Sequence, residues 1–261
     1  MSNLSTELVK RARRRLLEMH FNAGVGHLGG NLSALDALLV LHHQVMGPED
    51  VFVLAKGHAA GALYITLWSL AKLSDEDLNT FHRDGTFLAG HPVAGWSNDI
   101  PFATGSLGHG LPDAAGMALG YKLQSQASEV FCLTSDGEWQ EGSNWEAAMS
   151  AAHFELSNLV VIVDRNRLQL ADFTHNIMDL EPLDDKFKAF GFEVHDVNGN
   201  EVDKIWKLIE NLDHENRKPK VIIANTIKGR GVSFMENVPA WHHKFPDEDQ
   251  LKQALRELED A

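Results

Sequence analysis

Residues 130–142 read VFCLTSDGEWQEG, and the fold turns on this stretch. Apolar and small side chains run from Val130 to Thr134 and stop abruptly at Asp136-Gly137, with Glu138 and Glu141 just beyond. A short run that does not alternate with polar residues and ends on a turn signal is the pattern of a strand covered on both faces. The run begins at 129 (EVFCLT) and has counterparts in DVFVLA at 50–55, NLVVIVD at 158–164, FEVHDV at 192–197 and KVIIANT at 220–226. Between them, 143–154, 184–190 and 202–212 carry helical spacing. Strands alternating with helices predict an α/β fold, a single doubly wound domain over 1–261 with a mostly parallel sheet.

Composition narrows the partners. The net charge of −14 argues against nucleic acid or an anionic membrane, since both reward clustered positive charge. The one basic cluster, KRARRR at 10–15, shares a helix pattern with Leu4, Leu8, Leu16 and Leu17, which predicts a solvated or interface face. No apolar stretch approaches the roughly 18–20 residues of a membrane span, and the polar N-terminus is unlike a signal peptide. The single cysteine, Cys132, lies inside an apolar run and leaves no disulfide framework or Cys-based zinc site. A soluble, cytoplasmic protein is the expectation.

In a doubly wound sheet, ligands bind beyond the carboxyl ends of the strands. Asp136 and Asn166 follow consecutive predicted strands, so a right-handed crossover would bring both to one rim. With the backbone carbonyl of Leu168 they form an all-oxygen donor set of the kind Mg²⁺ or Ca²⁺ takes, with positions left for water and phosphate. Both residue types also cap turns, so the pair alone leaves the two roles balanced. Histidines shift the balance: 14 are present, several in Gly-His steps at His27, His58, His91 and His109. Glycine lets the backbone approach a ligand, and a neutral imidazole can donate to phosphate or hydroxyl oxygens and move protons. A zinc hydrolase would need a spacing such as HExxH, which does not occur, and the adjacent pairs His42-His43 and His242-His243 are poorly placed to share a metal.

Taken in order, GHLGG, KGHAAGALY, GHP, TGSLGHGL, SDGEWQEGSNWEAAMSAAH, VIVDRNRLQL, EPLDDKFKAFGFEV and TIKGRGVSFMEN with the later WHH resemble the thiamine-diphosphate-binding N-terminal half of transketolases along essentially the whole chain. The resemblance implies thiamine diphosphate and Mg²⁺ as cofactors, with Asp136, Asn166 and the Leu168 main-chain oxygen on the metal. It implies cofactor contacts from His58, Gly105, Ser106, Leu107, Asp136, Gly137, Glu141, Asn166, Leu168 and His242. His27, His91 and His242 would line the mouth, bind substrate hydroxyls and move protons. Glu141 matches a buried acid that links two cofactor sites across a dimer interface. The chain departs from the family pattern at Ser135, Arg165, Leu28 and His109, where glycine, aspartate or asparagine, proline and glutamine are usual.

Full-length members carry a second domain whose glutamate activates the cofactor, and no residue here takes that role. The resemblance therefore implies one subunit of a split transketolase, in an α₂β₂ assembly with a C-terminal companion chain. The implied reaction moves a two-carbon ketol unit from a ketose or ketose phosphate to an aldose. The alternatives are another thiamine-diphosphate ligase or lyase, of acyloin or deoxyxylulose-phosphate synthase type, and a non-catalytic scaffold subunit.

Overall fold

The computed structural model describes residues 4–170 and 172–260. Its strands are β1 Val51–Leu54, β2 Val130–Ser135, β3 Leu159–Arg165, β4 Leu168–Gln169, β5 Asp172–Phe173, β6 Glu193–Asn198 and β7 Lys220–Asn225. Five of them form one sheet in the order β1-β2-β3-β7-β6, with every neighbouring pair parallel. β4 and β5 make a separate antiparallel ribbon. The predicted strands and helices match in place, with ends displaced by no more than a residue or two, as expected where a turn residue takes part in the last ladder bond.

Successive strand side chains point to opposite faces, and both faces are covered. Phe131, Leu133, Val160, Ile162 and Ile222 pack into one layer, which also takes in side chains of the helices Thr6–Ala23, Leu28–Val40 and Ala60–Ser69. Val130, Cys132, Val161, Val163 and Ile223 pack on the other, against the helices Gly110–Leu123, Gly142–His153 and Leu183–Phe190. Two-sided burial is why the opening stretch shows no polar alternation. Each such side chain contributes about 1.5–3 kcal/mol on leaving water. The Cys132 thiol is free and buried, and acts as one more core group.

Helix Thr6–Ala23 starts where the Ser5 hydroxyl accepts from the Leu8 N–H, and stops at Gly24, whose left-handed backbone (φ 68°) suits glycine. Its basic run is only partly a solvated face: Arg11 and Arg14 are exposed, whereas Arg13 turns inward. Arg13 is buried and grips Asp36 through Nη2 at 2.6 Å to both carboxylate oxygens, while its Nη1 donates to the Leu32 and Arg230 carbonyls. Arg11 lies 4.5 Å over the Trp68 ring, Arg14 pairs with Glu18 and Glu259, and Arg15 pairs with Asp75. Sequence spacing places charges on a helix face but does not reveal which acids the fold brings opposite them. Among the described residues, no helix is long and apolar enough to cross a membrane.

Candidate active site

The ends of β2 and β3 place the oxygen donors. Ser135 pairs with Asp164 in register, and the Asp136 N–H continues the ladder to the Asp164 carbonyl at 3.2 Å. Asp136 is only 4% exposed; its Oδ1 accepts from the Gly137 N–H at 2.8 Å and its Oδ2 from the Arg167 N–H at 2.6 Å. Asn166 is buried and its Oδ1 accepts from the Leu168 N–H at 3.0 Å. Both residues therefore do cap turns. A carboxylate has about four acceptor positions, so capping leaves capacity for a cation. Burial, with the neighbouring Asp164 charge, pushes the Asp136 carboxyl up to about 6, a cost that a cation would relieve.

The donor set suits the group the sequence implies. Oxygen from one carboxylate, one amide and one carbonyl is hard-cation chemistry that leaves room for phosphate. Among the described residues no three His, Cys, Asp or Glu side chains converge as a metal cage. Beside the oxygen-donor rim the backbone is tight: a Cβ on Gly137 would meet Gln169 at 3.0 Å. The buried Oε1 of Gln169 has no partner in the protein, and such an atom calls for a donor from water or ligand.

Opposite this rim the predicted histidines converge. The His27 ring centroid lies 5.8 Å from His58, 5.8 Å from His91 and 5.1 Å from His242, and His58 lies 5.7 Å from His242. His243 also reaches the group, 4.8 Å from His242 and 6.4 Å from His27. Burial lowers His27 to about 4 and His242 to about 3, aided in each by nearby cationic or imidazole groups, and holds His58 well below its ordinary value. All three favour the neutral form, and the Nδ1 lone pair of His242 already accepts from Lys228 Nζ. His109 stands apart: it is exposed, and its Nδ1 donates to the Ser106 and Leu107 carbonyls at 3.2 and 3.3 Å.

Gly105, Ser106 and Leu107 lie on a loop strapped to the end of β1 by the Thr104 hydroxyl, which donates to the Leu54 carbonyl at 2.7 Å. Gly105 has φ +145°, and a Cβ there would meet the His91 ring at 2.9 Å, so this close approach needs glycine. The loop is held by Glu138, which accepts from the Gly108 N–H at 3.0 Å and the Ser135 N–H at 3.3 Å. Glu138 is fully buried, whereas Glu141, the expected buried acid, is exposed on the chain by itself. Arg165 points its charge away from the donors, to Glu181 and to the Asn225 side-chain oxygen at 2.7 Å.

Several site residues escape a reading of the sequence. Lys228 links the two rims, its Nζ 3.1 Å from His242 Nδ1 and 3.3 Å from the Leu168 carbonyl, and burial lowers it to about 8. Lys56 is buried in an ion pair with Asp164, and Asp164 also accepts from Ser33 at 2.6 Å and from Thr226. Asn31 donates to the carbonyls of His27 at 2.8 Å and His58 at 3.0 Å, and its Oδ1 accepts from the Ala62 N–H at 2.7 Å. The available signal was position: Lys56 and Lys228 both stand in strand exits, KGH and IKG.

Residues 5–258 match the family model described as transketolase, thiamine diphosphate binding domain. The chain is 42% identical to one subunit of the apulose-4-phosphate transketolase of Actinobacillus succinogenes, over 99% of this chain and 98% of that one. It is 38% identical to the 6-deoxy-6-sulfo-D-fructose transketolase subunit SqwG of a Clostridium species, over 95% of this chain and 93% of that one. The transketolase crystal structure from Campylobacter jejuni superposes with a TM-score of 0.88 at 29% identity, covering 97% of this chain but 42% of that longer one. The chain belongs to the transketolase family, as a member of its thiamine-diphosphate-binding domain.

Proposed function

We propose that this chain, one domain over residues 1–261, is the diphosphate-binding subunit of a two-subunit cytoplasmic transketolase. Transketolase-type ketol transfer is its chemistry: a two-carbon unit passes from a ketose to an aldose. The observation that carries the reading is the facing of the two rims, oxygen donors at Asp136, Asn166 and Leu168 on one side and neutral histidines on the other, with Lys228 between them.

Asp136, Asn166 and the Leu168 carbonyl would hold Mg²⁺, and His58, Gly137, His242 and Lys228 the diphosphate beside it. Gly105, Ser106 and Leu107 would meet the cofactor rings. Bound thiamine diphosphate supplies an electron sink for the carbanion that is left when the ketose C2–C3 bond breaks. The chain's own part is orientation and proton handling. A neutral imidazole of His27 or His91 can accept the proton of a donor hydroxyl and return it to the departing or arriving sugar, while His242, whose Nδ1 accepts from Lys228, presents its Nε2–H to a substrate oxygen. The lowered basicity of His27 and His242 follows from burial and from positive neighbours such as Lys228, and an anion bound beside Lys228 offsets the second cause.

The relatives' names point to ketoses carrying an anionic phosphate or sulfonate, and a sugar phosphate is the substrate proposed here. A companion C-terminal chain would complete the site in an α₂β₂ assembly, with Glu141 facing a neighbouring protomer. Calorimetric titration with thiamine diphosphate, with and without Mg²⁺ and the companion, tests the reading. Binding that requires Mg²⁺ and tightens with the companion is expected; absence of binding with both present overturns it. A donor screen of ketose phosphate against pyruvate then separates ketol transfer from acyloin or deoxyxylulose-phosphate chemistry.

A further inference from the structure

Beneath the histidine cluster lies a cavity of about 50 Å³, lined by His20, His27, Asn31, His58, His82 and His91 among others. His20 comes from the last turn of helix Thr6–Ala23 and is 1% exposed. Its Nδ1 lies 3.2 Å from the Val25 carbonyl, which can only accept, so Nδ1 carries the proton and Nε2 is left as an acceptor. That Nε2 is buried and has no partner in the protein. The ring fits because residue 61 is glycine: a Cβ there would stand 2.5 Å from Nε2.

The neighbouring Asn31 does not supply the missing donor. The Asn31 amide already donates to the His27 and His58 carbonyls, and its oxygen accepts from Ala62. A buried acceptor without a donor is rare in native proteins, and ordered water is the usual remedy. The cavity exceeds the roughly 10–15 Å³ that one water needs, and imidazoles from several segments give it polar partners.

We propose that this cavity holds an ordered water that donates to His20 Nε2 and accepts from the His27 ring, so that His20 positions His27 for proton transfer without touching substrate. A water that donates to His20 keeps its lone pairs free for a His27 N–H. The other His27 nitrogen then turns its lone pair toward the mouth, the form in which imidazole acts as a base. His20 thus sets the tautomer and orientation of His27, as outer partners do for histidines at many sites. The inference rests on the reading of His27 as a mouth residue.

Long-range proton–nitrogen NMR of the full chain, labelled at histidine, reads each tautomer directly. At pH 7, wild type should show His20 protonated at Nδ1 and His27 in a single tautomer. His20→Leu should mix the His27 tautomers, and His20→Gln, which keeps a side-chain acceptor, should restore one. An unchanged His27 signal in a folded His20→Leu chain would overturn the proposal. A crystal structure that resolves ordered water needs no variant: a dry cavity overturns the proposal, whereas water within hydrogen-bond distance of both rings supports it. In the assembled enzyme, His20→Leu should lower kcat about tenfold at unchanged cofactor affinity. Thiamine diphosphate titration of the wild type reports separately on the functional reading, since its failure would leave the tautomer result standing.

Discussion

Asp136 and Asn166 reach the site from the ends of two adjacent strands, whereas His27, His58, His91 and His242 come from segments spread over most of the chain. The first rim takes its geometry from the sheet: ladder bonds between β2 and β3 run straight into the turns that hold the carboxylate and the amide. The second owes less to the sheet: His58 follows β1, where the Lys56 N–H donates to the Leu133 carbonyl at 3.2 Å, but His27 and His242 do not follow sheet strands. Its rings are held by buried polar struts, Lys56 with Asp164, Asn31 across two histidine carbonyls, and Lys228 against His242. Adjacent strands can fix one half of a site locally, while the other half depends on polar groups that the core must satisfy completely.

The largest effect should come from breaking a strut. Lys56→Met leaves Asp164 buried without its cation, and removing one partner of a buried pair costs about 3–5 kcal/mol. Denaturant unfolding should show that loss, and a change below about 1 kcal/mol would mean that the pair does not hold the second rim. The double variant Lys56→Met/Asp164→Asn should be less damaged than the single one, because no buried charge is then left alone.

Acid should act on the histidine side through His20. Burial lowers it from 6.5 to about 4, so the unfolded chain binds the proton more readily than the folded one. Its contribution is complete above pH 6.5 and is lost as pH falls toward 4. A shift of that size corresponds to about 3 kcal/mol. Unfolding free energies measured across this window should fall less steeply in His20→Leu, and parallel curves for variant and wild type would show that His20 does not drive the acid limb.

Between the rims the functional division is also testable. Asp136→Ala removes the only carboxylate of the proposed metal set and should weaken Mg²⁺-dependent thiamine diphosphate binding by about 100-fold or more, since even outer-shell changes cost 10–100-fold. His27→Ala or His242→Ala should instead slow turnover by about 100-fold, the scale of lost acid–base help, with a smaller change in cofactor affinity. Lost binding with an intact rate in the histidine variants would reverse the assignment. Asn31→Ala comes next, at about 2 kcal/mol for its net hydrogen bonds, read as a shift in unfolding midpoint.

The difference between the rims also explains what the sequence discloses. Strand positions are legible because burial on both faces writes unbroken apolar runs, and Asp136 and Asn166 are legible because they stand where those runs end. His27, His58 and His91 are visible as Gly-His steps and His242 as a Trp-His step, though only the fold shows that His27 and His242 lie side by side while His109 turns outward. Lys56, Lys228 and Asn31 look like ordinary polar residues in the sequence. Their importance comes from what is buried around them, which depends on contacts between distant segments. Among the basic residues of the 10–15 run Arg13 alone departs from the solvated face, for the same reason: it finds Asp36 only after two helices pack.

Glu138 and Glu141 set the same contrast at its smallest scale, three positions apart in the stretch that ends β2. Glu138→Ala should cost about 1–3 kcal/mol, because the buried Gly108 and Ser135 N–H groups lose their acceptor. Glu141→Ala should change the stability of the chain alone by no more than about 0.5 kcal/mol, as for exposed positions without a partner network. Any larger consequence must then come from a neighbouring protomer. Sedimentation of the assembled enzyme at decreasing concentration should show Glu141→Ala dissociating earlier than wild type. Equal dissociation, with the chain's own stability unchanged, would leave Glu141 without the intersubunit role that the family resemblance implies for it.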